Sequence, residues 1–490
     1  MFKWVPIIGK GLIVFLYLVI LVILSPILLS VGLSDRGLAA ENNMAVKELF
    51  IAYEGDIRSV QTKNDLAVVR KRYVEVNFQN LPDIPTRSTD FVGKQVLALN
   101  LFDDAYFEVI INKISLSRDG KSTIMMGTVK DKTPSSVIIV RTGNILSGNI
   151  TLNAGKSYQI RYETDNVHST RELEQSKFPN EAPPIPVYFN DKEEMDTPSY
   201  SSDNATTIDV LVVYTKNARK SVGGTTAMQN LITLGETETN EGYENSNITQ
   251  RINVVHTEEL SFDENSLSSM DSVLLALQNK SDQKMDQVHT LRNTYAADLV
   301  SLWTDITSTA YCGVAYLMTS LSNSFKVYAF SVVEYDCATG YYTFAHEMGH
   351  NMGAAHDRNQ SGSGLYEYSH GQQRPNASTP YRTIMAYSCT GSTSCPRVNY
   401  WSNPDITLYG KTTGQPTTAV DSADNHSTLN NSYSTIKDFR TSSESTTTVI
   451  PVYGWWGAGI FVLLSSVLLF VYFAHLTTMT SNIRRDKHFN

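Results

Sequence analysis

Six residues, His346, Glu347, His350, Gly353, His356 and Asp357, follow the spacing H-E-x-x-H-x-x-G-x-x-H-D. On a helix, His346 and His350 are one turn apart and project from the same face. Neutral imidazole nitrogens in that arrangement are zinc ligands. Glu347 is rotated about a hundred degrees round the helix from His346, where it can reach a water on the metal without ligating it. A third imidazole must come from another direction, because three nitrogens in one helical row cannot form a tetrahedral corner. Gly353 can adopt a left-handed conformation, end the helix and swing His356 back beneath the metal. The expectation is therefore one catalytic Zn2+ held by His346, His350 and His356, with the fourth position left for water and Glu347 as the catalytic carboxylate. Chance produces H-E-x-x-H about once in a hundred chains of this kind, and the further Gly, His and Asp lower that to about one in a million. A helix with surface histidines is thereby set aside.

The extended motif resembles that of the metzincin metallopeptidases, and Asp357 after the third His is similar to their reprolysin (adamalysin) branch. Thr383-Ile384-Met385-Ala386-Tyr387 resembles the Met-turn, which implies Met385 as a polarizable apolar floor beneath the ligands. Tyr311-Cys312-Gly313-Val314-Ala315-Tyr316-Leu317, Phe330-Ser331-Val332-Val333 and Cys337 precede the motif. Cys389, Cys395, Pro396-Arg397 and Ser402-Asn403-Pro404 follow it. These strings are similar to bacterial reprolysin-like peptidases, a group that includes the peptidyl-Asp metallopeptidases. The likeness covers roughly residues 205–440 and implies an α/β (α+β) catalytic domain with a twisted, mostly parallel sheet and a zinc helix. Tyr387, two residues after the Met, is arranged instead as in the astacin and serralysin branches. The resemblance leaves open whether it assists the transition state or packs.

The implied activity is hydrolysis of peptide bonds in proteins or peptides. A different class of function, a silent binding or adhesion module that keeps zinc as a staple, has no need of a carboxylate at position 347. Asp357 is expected to anchor the turn by hydrogen bonds rather than perform chemistry. His256, His289, His370 and His426 read as structural or solvated. In this clan the segment after the Met-turn, here about 389–409, shapes specificity, and Arg397 is the nearby cation able to hold an acidic side chain. A structural Ca2+ is left open by the sequence.

At 490 residues the chain is expected to form two folded domains. A formal charge of −9 and the lack of a basic stripe exclude nucleic acid as a partner. The four cysteines, Cys312, Cys337, Cys389 and Cys395, make no C-x-x-C pair. An even count in a chain with export signals points to disulfides, Cys312–Cys337 and Cys389–Cys395 being the expected pairs, each worth about 2–4 kcal/mol. Residues 11–33 are an uncharged apolar run behind Lys3 and Lys10, followed by Ala39-Ala40. This reads as a signal peptide cleaved after Ala40 or a retained signal-anchor. Residues 455–476 carry Trp455-Trp456 at one edge and precede Arg484, Arg485 and Lys487, as in a transmembrane helix whose basic flank is cytoplasmic. The body of the chain would then lie outside the cytoplasm, at a cell surface or in a periplasm, tethered or released by processing.

The organisation expected along the chain is 1–40 targeting segment, 41–177 β-rich domain and 178–207 linker. Then come 208–440 metallopeptidase domain, 441–454 Ser/Thr-rich stalk, 455–476 transmembrane helix and 477–490 basic tail. Within the second, residues 41–73 have a helical spacing at Val46, Leu49, Phe50 and Tyr53. Short β-runs at 73–78, 95–99, 107–111, 136–140 and 158–162 suggest a β-sandwich or curved sheet. This region is a candidate prodomain or, equally, a permanent accessory domain. It contains no cysteine, so a propeptide thiolate on the metal is excluded, and latency would rest on steric occlusion or a carboxylate. The catalytic region is expected to place strands at 208–214, 252–256, 299–303 and 327–333. Helices are expected at 225–241, 270–296, 342–352 and 424–439.

Overall fold

The computed structural model describes residues 47–56, 67–82, 94–189, 207–306, 310–360, 362–391 and 393–440. Nine strands form the N-terminal sheet: β1 (Phe50–Ala52), β2 (Val68–Val76), β3 (Gln95–Phe102), β4 (Ala105–Leu116), β5 (Thr123–Val129), β6 (Ser136–Thr142), β7 (Ile145–Thr151), β8 (Ser157–Thr164) and β9 (Val167–Leu173). Their order is β1-β2-β9-β8-β7-β6-β5-β4-β3, with antiparallel neighbours throughout. Two-residue turns close three of the hairpins, β3–β4, β6–β7 and β8–β9. Asp165 and Asn166 both take positive φ, at 43° and 68°, as the primed turns that match strand twist require. The sheet curves until its ends meet. Leu49 N–H donates to Ala98 O at 3.1 Å, and the Asn100 side chain clamps the Phe50 backbone at 2.9 and 2.7 Å.

The run Val137-Ile138-Ile139-Val140 in β6 shows why this sheet is not free-standing. Val137 and Ile139 fill the sheet's own core, whereas Ile138 and Val140 belong to the core of the catalytic region. An apolar run with both faces buried is what period-two geometry gives when a sheet is covered on each side.

The catalytic sheet contains β10 (Ile185–Val187), β11 (Thr207–Thr215), β12 (Arg251–Leu260), β13 (Leu299–Thr304), β14 (Gly313–Met318) and β15 (Phe330–Glu334), in the order β10-β14-β15-β13-β11-β12. Pairing is parallel except between β14 and β15. The helices are α1 (Lys216–Ser221), α2 (Thr225–Asn245), α3 (Met270–Gln278), α4 (Gln287–Thr294), α5 (Thr343–Asn351) and α6 (Asn425–Ile436). On α2, Ala227, Met228, Leu231, Ile232 and Leu234 are buried at helical spacing. The polar contacts of α2 lock the two sheets together. Asn149 donates to Glu238 at 2.9 Å, Asn230 to Val140 O at 3.1 Å, and Ser136 to Glu241 at 2.5 Å. Nearby, Arg161 of β8 reaches Thr339 Oγ1 at 2.8 Å.

Several expectations change. Phe50–Ala52 is a strand, not part of a helix, because pairing with Val74–Val76 of β2 satisfies its backbone and outweighs local spacing. The 178–207 stretch is not all linker: residues 178–189 pack into the catalytic region, and Ile185–Val187 is a strand of its sheet. The strand expected over 327–333 begins only at Phe330, after a 3-10 turn at Asn323–Val327. The hydrophobic segments 11–33 and 455–476, the stalk and the basic tail lie outside the described residues. Among the described residues no helix is long and apolar enough to cross a membrane.

A buried histidine in the N-terminal sheet gives an acid-stability signature. His168 accepts from Leu146 N–H at 3.1 Å through Nε2 and contacts Asn166 O at 3.1 Å through Nδ1, which fixes the neutral tautomer. Burial pushes its pKa down from 6.5 to about 4. Between those values the unfolded chain binds the proton and the folded chain does not. The contribution is therefore complete above about 6.5 and is lost as pH falls through about 4, amounting to about 3 kcal/mol. Denaturant titrations from pH 7 to 4 should show this loss, and His168→Gln should flatten the slope by about one proton.

Candidate metal centre

Helix α5 carries His346, Glu347 and His350, and every one of its residues is buried. Asn351 pins its end to the sheet, donating to Tyr316 O at 2.9 Å and Phe330 O at 3.1 Å. Gly353 then takes φ 94°. The reversal brings His356 back beside the helix, since only glycine accepts that conformation without strain. A Cβ there would also lie 2.5 Å from the Leu365 side chain.

The three Nε2 atoms converge: His346 to His356 is 3.0 Å, and His350 lies 3.1 Å from each. His346 Nδ1 is 2.8 Å from Ile384 O, and His350 Nδ1 is 2.7 Å from Ala354 O. Carbonyls accept only, so both Nδ1 atoms carry the hydrogen and both Nε2 atoms are left as lone pairs. Burial holds all three imidazoles below their usual pKa, His346 at about 4. Lone pairs facing one another at this separation repel unless a cation lies between them. Among the described residues, this is the group of His, Cys, Asp and Glu side chains able to hold a metal ion. Zinc suits a set of three neutral nitrogens.

Glu347 is fully buried, and neither carboxylate oxygen has a hydrogen-bond partner among the described residues. Burial first, and the Glu181 charge second, push its carboxyl well above the ordinary range. A dry, unpaired carboxylate is costly unless something is meant to meet it. Room for it comes from Gly313, where a Cβ would lie 2.5 Å from Glu347 Oε1.

Below the histidines, Ala386 N–H closes a turn on Thr383 O at 3.0 Å, and Met385 is fully buried. Its sulfur would meet a Cβ at Gly349 within 2.8 Å, so the methionine packs directly under the helix. Asp357 accepts from Tyr387 N–H at 3.0 Å and Asn359 N–H at 3.2 Å, tying the third-histidine loop to this turn. The Tyr387 ring lies 4.0 Å from that of His356, and its hydroxyl donates to Glu181 O at 2.8 Å. Two disulfides frame the site. Cys312–Cys337 joins the start of β14 to the segment before α5, and Cys389–Cys395 closes the loop after Met385.

His370 supports the centre from behind, its Nδ1 being 2.8 Å from His356 O. His256 stacks on Tyr295, His289 packs against Phe330, and His426 lies beside Asp424, so none joins the cluster. Arg397 is buried and forms a two-pronged pair with Glu181, Nη2 to Oε2 being 2.6 Å. Burial alone would raise the Glu181 carboxyl, but the Arg397 charge overcomes it and holds the group below the usual carboxylate range. Glu181, Gly313 and Asn351 are site residues that the sequence did not single out. Glu181 lies in a Pro-rich stretch with no periodic signal, whereas Gly313 lies within a string already similar to the reprolysin-like peptidases.

Residues 204–402 match the family model described as metallo-peptidase family M12. Two curated relatives named peptidyl-Asp metalloendopeptidase, from Stenotrophomonas maltophilia strains K279a and R551-3, are 39% and 40% identical. The alignments span 66% and 64% of this chain and 75% and 72% of those proteins. A third of that name, from Xanthomonas campestris pv. campestris, is 37% identical over 62% of this chain and 70% of its own length. The chain belongs to the reprolysin-like M12 metallopeptidases. It is a metalloendopeptidase, and that family implies zinc.

The space around Glu347 gives a direct check. Gly313→Ala forces a methyl group against both Glu347 and Thr343, whose Cγ2 would be 2.8 Å away. Such overpacking should cost about 1–3 kcal/mol, read as a lowered midpoint in urea unfolding of the metal-free protein.

Proposed function

We propose that the chain hydrolyses peptide bonds of extracytoplasmic proteins with one Zn2+ held by His346, His350 and His356 and with Glu347 as general base and then acid. The observation carrying this reading is the convergence of three imidazole nitrogens at 3.0–3.1 Å beside a carboxylate with no partner of its own. Bound there, zinc would supply Lewis acidity and an acidified water.

The chain's residues do the rest. A Glu347 oxygen takes a proton from the attacking water and delivers it to the departing amine nitrogen. Its raised carboxyl pKa favours the uptake of that proton. The carbonyls of Ile384 and Ala354 hold His346 and His350 in the ligating tautomer. Asp357 holds the third-histidine loop in place through the N–H groups of Asn359 and Tyr387. Met385 forms the apolar floor.

The relatives' name suggests an acidic residue at the cleaved bond, and Arg397 is the buried guanidinium beside the cluster that would recognise it. Residues 41–450 are read as lying outside the cytoplasm. Two disulfides, the apolar run 11–33 and the Trp- and Arg-flanked run 455–476 support this reading and a membrane tether.

Hydrolysis of a protein substrate should stop with EDTA and return with zinc. Glu347→Gln should keep one equivalent of zinc while kcat falls about 10²–10⁴-fold. Full turnover in that variant would sink the assignment of the base. Replacing His350 by Ala should remove the zinc itself, as metal analysis of the dialysed protein would show.

A further inference from the structure

We propose that Tyr341 and Arg382 are positioning residues for substrate selection. Together they hold the Arg397 guanidinium in the orientation that meets a carboxylate beside the histidine cluster, and so set how strongly an acidic residue is preferred over its neutral isostere. The inference rests on the reading of Arg397 as the group that recognises an acidic side chain.

Arg397 is fully buried, and its fork closes on one carboxylate, that of Glu181, with Nη2 to Oε2 at 2.6 Å. Thr343 Oγ1 donates to the same carboxylate at 3.0 Å. Thr343 is the first residue of α5, about one turn before His346 and Glu347, so the seat of the anion adjoins the cluster. An acidic substrate side chain would take this seat. An amide there would present an N–H to a fork that needs acceptors.

The fork is aimed by one residue. Apart from the carboxylate, the hydrogen-bond and ring contacts of the guanidinium among the described residues are with Tyr341. The Tyr341 carbonyl accepts from Nη1 at 3.0 Å, and the ring lies 4.3 Å from the guanidinium carbon. Arg397 Nε is buried without a partner among those residues, so the fork has no third anchor. Gly340 and Tyr342, on either side of Tyr341, take φ of 77° and 65°. A tyrosine in the left-handed region is strained and persists only where its surroundings fix it, and such positions gather at functional sites. With the chain kinked on both sides, the carbonyl and the ring of Tyr341 face the same guanidinium.

Arg382 holds the far end of that ring. Its Nη2 donates to the Tyr341 hydroxyl at 2.9 Å, Nη1 to Ala386 O at 2.6 Å and Nε to Cys395 O at 3.2 Å. Each of its nitrogens has a protein acceptor, which leaves Arg397 as the guanidinium facing the seat. The main chain of Arg382 brackets Arg397 as well: its N–H donates to Pro396 O at 3.1 Å, and its carbonyl accepts from Val398 N–H at 2.9 Å. The two guanidinium carbons lie 5.4 and 4.3 Å from the centre of one phenol ring. Burial first, and the Arg397 charge second, lower the Arg382 pKa. An anion in the seat relieves both cations, and a neutral side chain relieves neither.

The test uses zinc-loaded enzyme prepared from the full chain and two fluorogenic peptides, alike except for Asp or Asn at the cleaved bond. The readout is the ratio of their kcat/KM values, which a change in the amount of correctly folded enzyme does not move. Tyr341→Leu should lower the ratio about ten-fold, through a raised KM for the Asp peptide. Tyr341→Phe keeps ring and carbonyl but releases Arg382, and should lower it about three-fold. Arg382→Gln should lower it about ten-fold, with partial rescue in Arg382→Lys. In an Arg397→Ala background, Tyr341→Leu should change the ratio no further, because it acts through that guanidinium. An unchanged ratio in Tyr341→Leu and Arg382→Gln, with discrimination lost in Arg397→Ala, would overturn the proposal and leave the reading of Arg397 standing. Equal cleavage of both peptides by the unmodified enzyme would overturn both. Should Tyr341→Leu and Arg382→Gln fail to fold, Tyr341→Phe decides by the same ratio, an unchanged value overturning the proposal.

Discussion

Three imidazole nitrogens aimed at one point in a dry interior impose the constraint around which this molecule is arranged. The arrangement is unfavourable for the bare polypeptide, since each imidazole would otherwise turn toward water or a donor. It persists because every degree of freedom is removed by something rigid. One helical turn sets two rings, a left-handed glycine sets the third, and the carbonyls of Ile384 and Ala354 decide which nitrogen faces inward. The helix itself is held by Asn351 to strands β14 and β15 and is underpinned by Met385 and Trp401. The centre is thus built on a helix with its neighbours locked, the condition under which ligand geometry holds to within tenths of an ångström.

The N-terminal sheet is part of the same construction. Its strand β6 gives one face to each core, and Asn149, Arg161 and Ser136 reach partners on the catalytic side. Glu238, which receives the Asn149 amide and Gly340 N–H, is buried enough that its carboxyl rises to about 7. Polar groups satisfied across a buried surface set one relative placement of two bodies, because any slip leaves donors and acceptors unpaired. The chain that leaves β9 of this sheet supplies β10 to the catalytic sheet, so the docking of the sheet also places that strand.

The three converging histidines were legible because the chemistry of a metal site demands particular residue types at offsets fixed by helix geometry. His346, His350 and His356 could be placed from spacing alone, and Gly353 from the need to turn the chain. Long periodic elements such as α2 were legible for the same reason. Residues defined by what lies across from them in space were hidden. Glu181 sits 216 positions before its partner, in a proline-rich stretch whose composition reads as linker. Strand β9 carries His168, Ser169 and Thr170, all buried, so its burial has no apolar alternation to reveal it. Phe50–Ala52 showed helical spacing, yet the edge of β2 captured it. Local pattern identifies elements that stabilise themselves, and it misses those whose partner is elsewhere in the chain.

Burial of the cluster has a further consequence. His346, His350, His356 and Glu347 are at most 1% exposed. An ion seated among them would enter or leave only when part of the protein opens, so exchange would follow the free energy of that local opening and not ligand chemistry alone. Retention of metal and firmness of packing thus become one quantity, and whatever loosens the packing also hastens the loss of the ion.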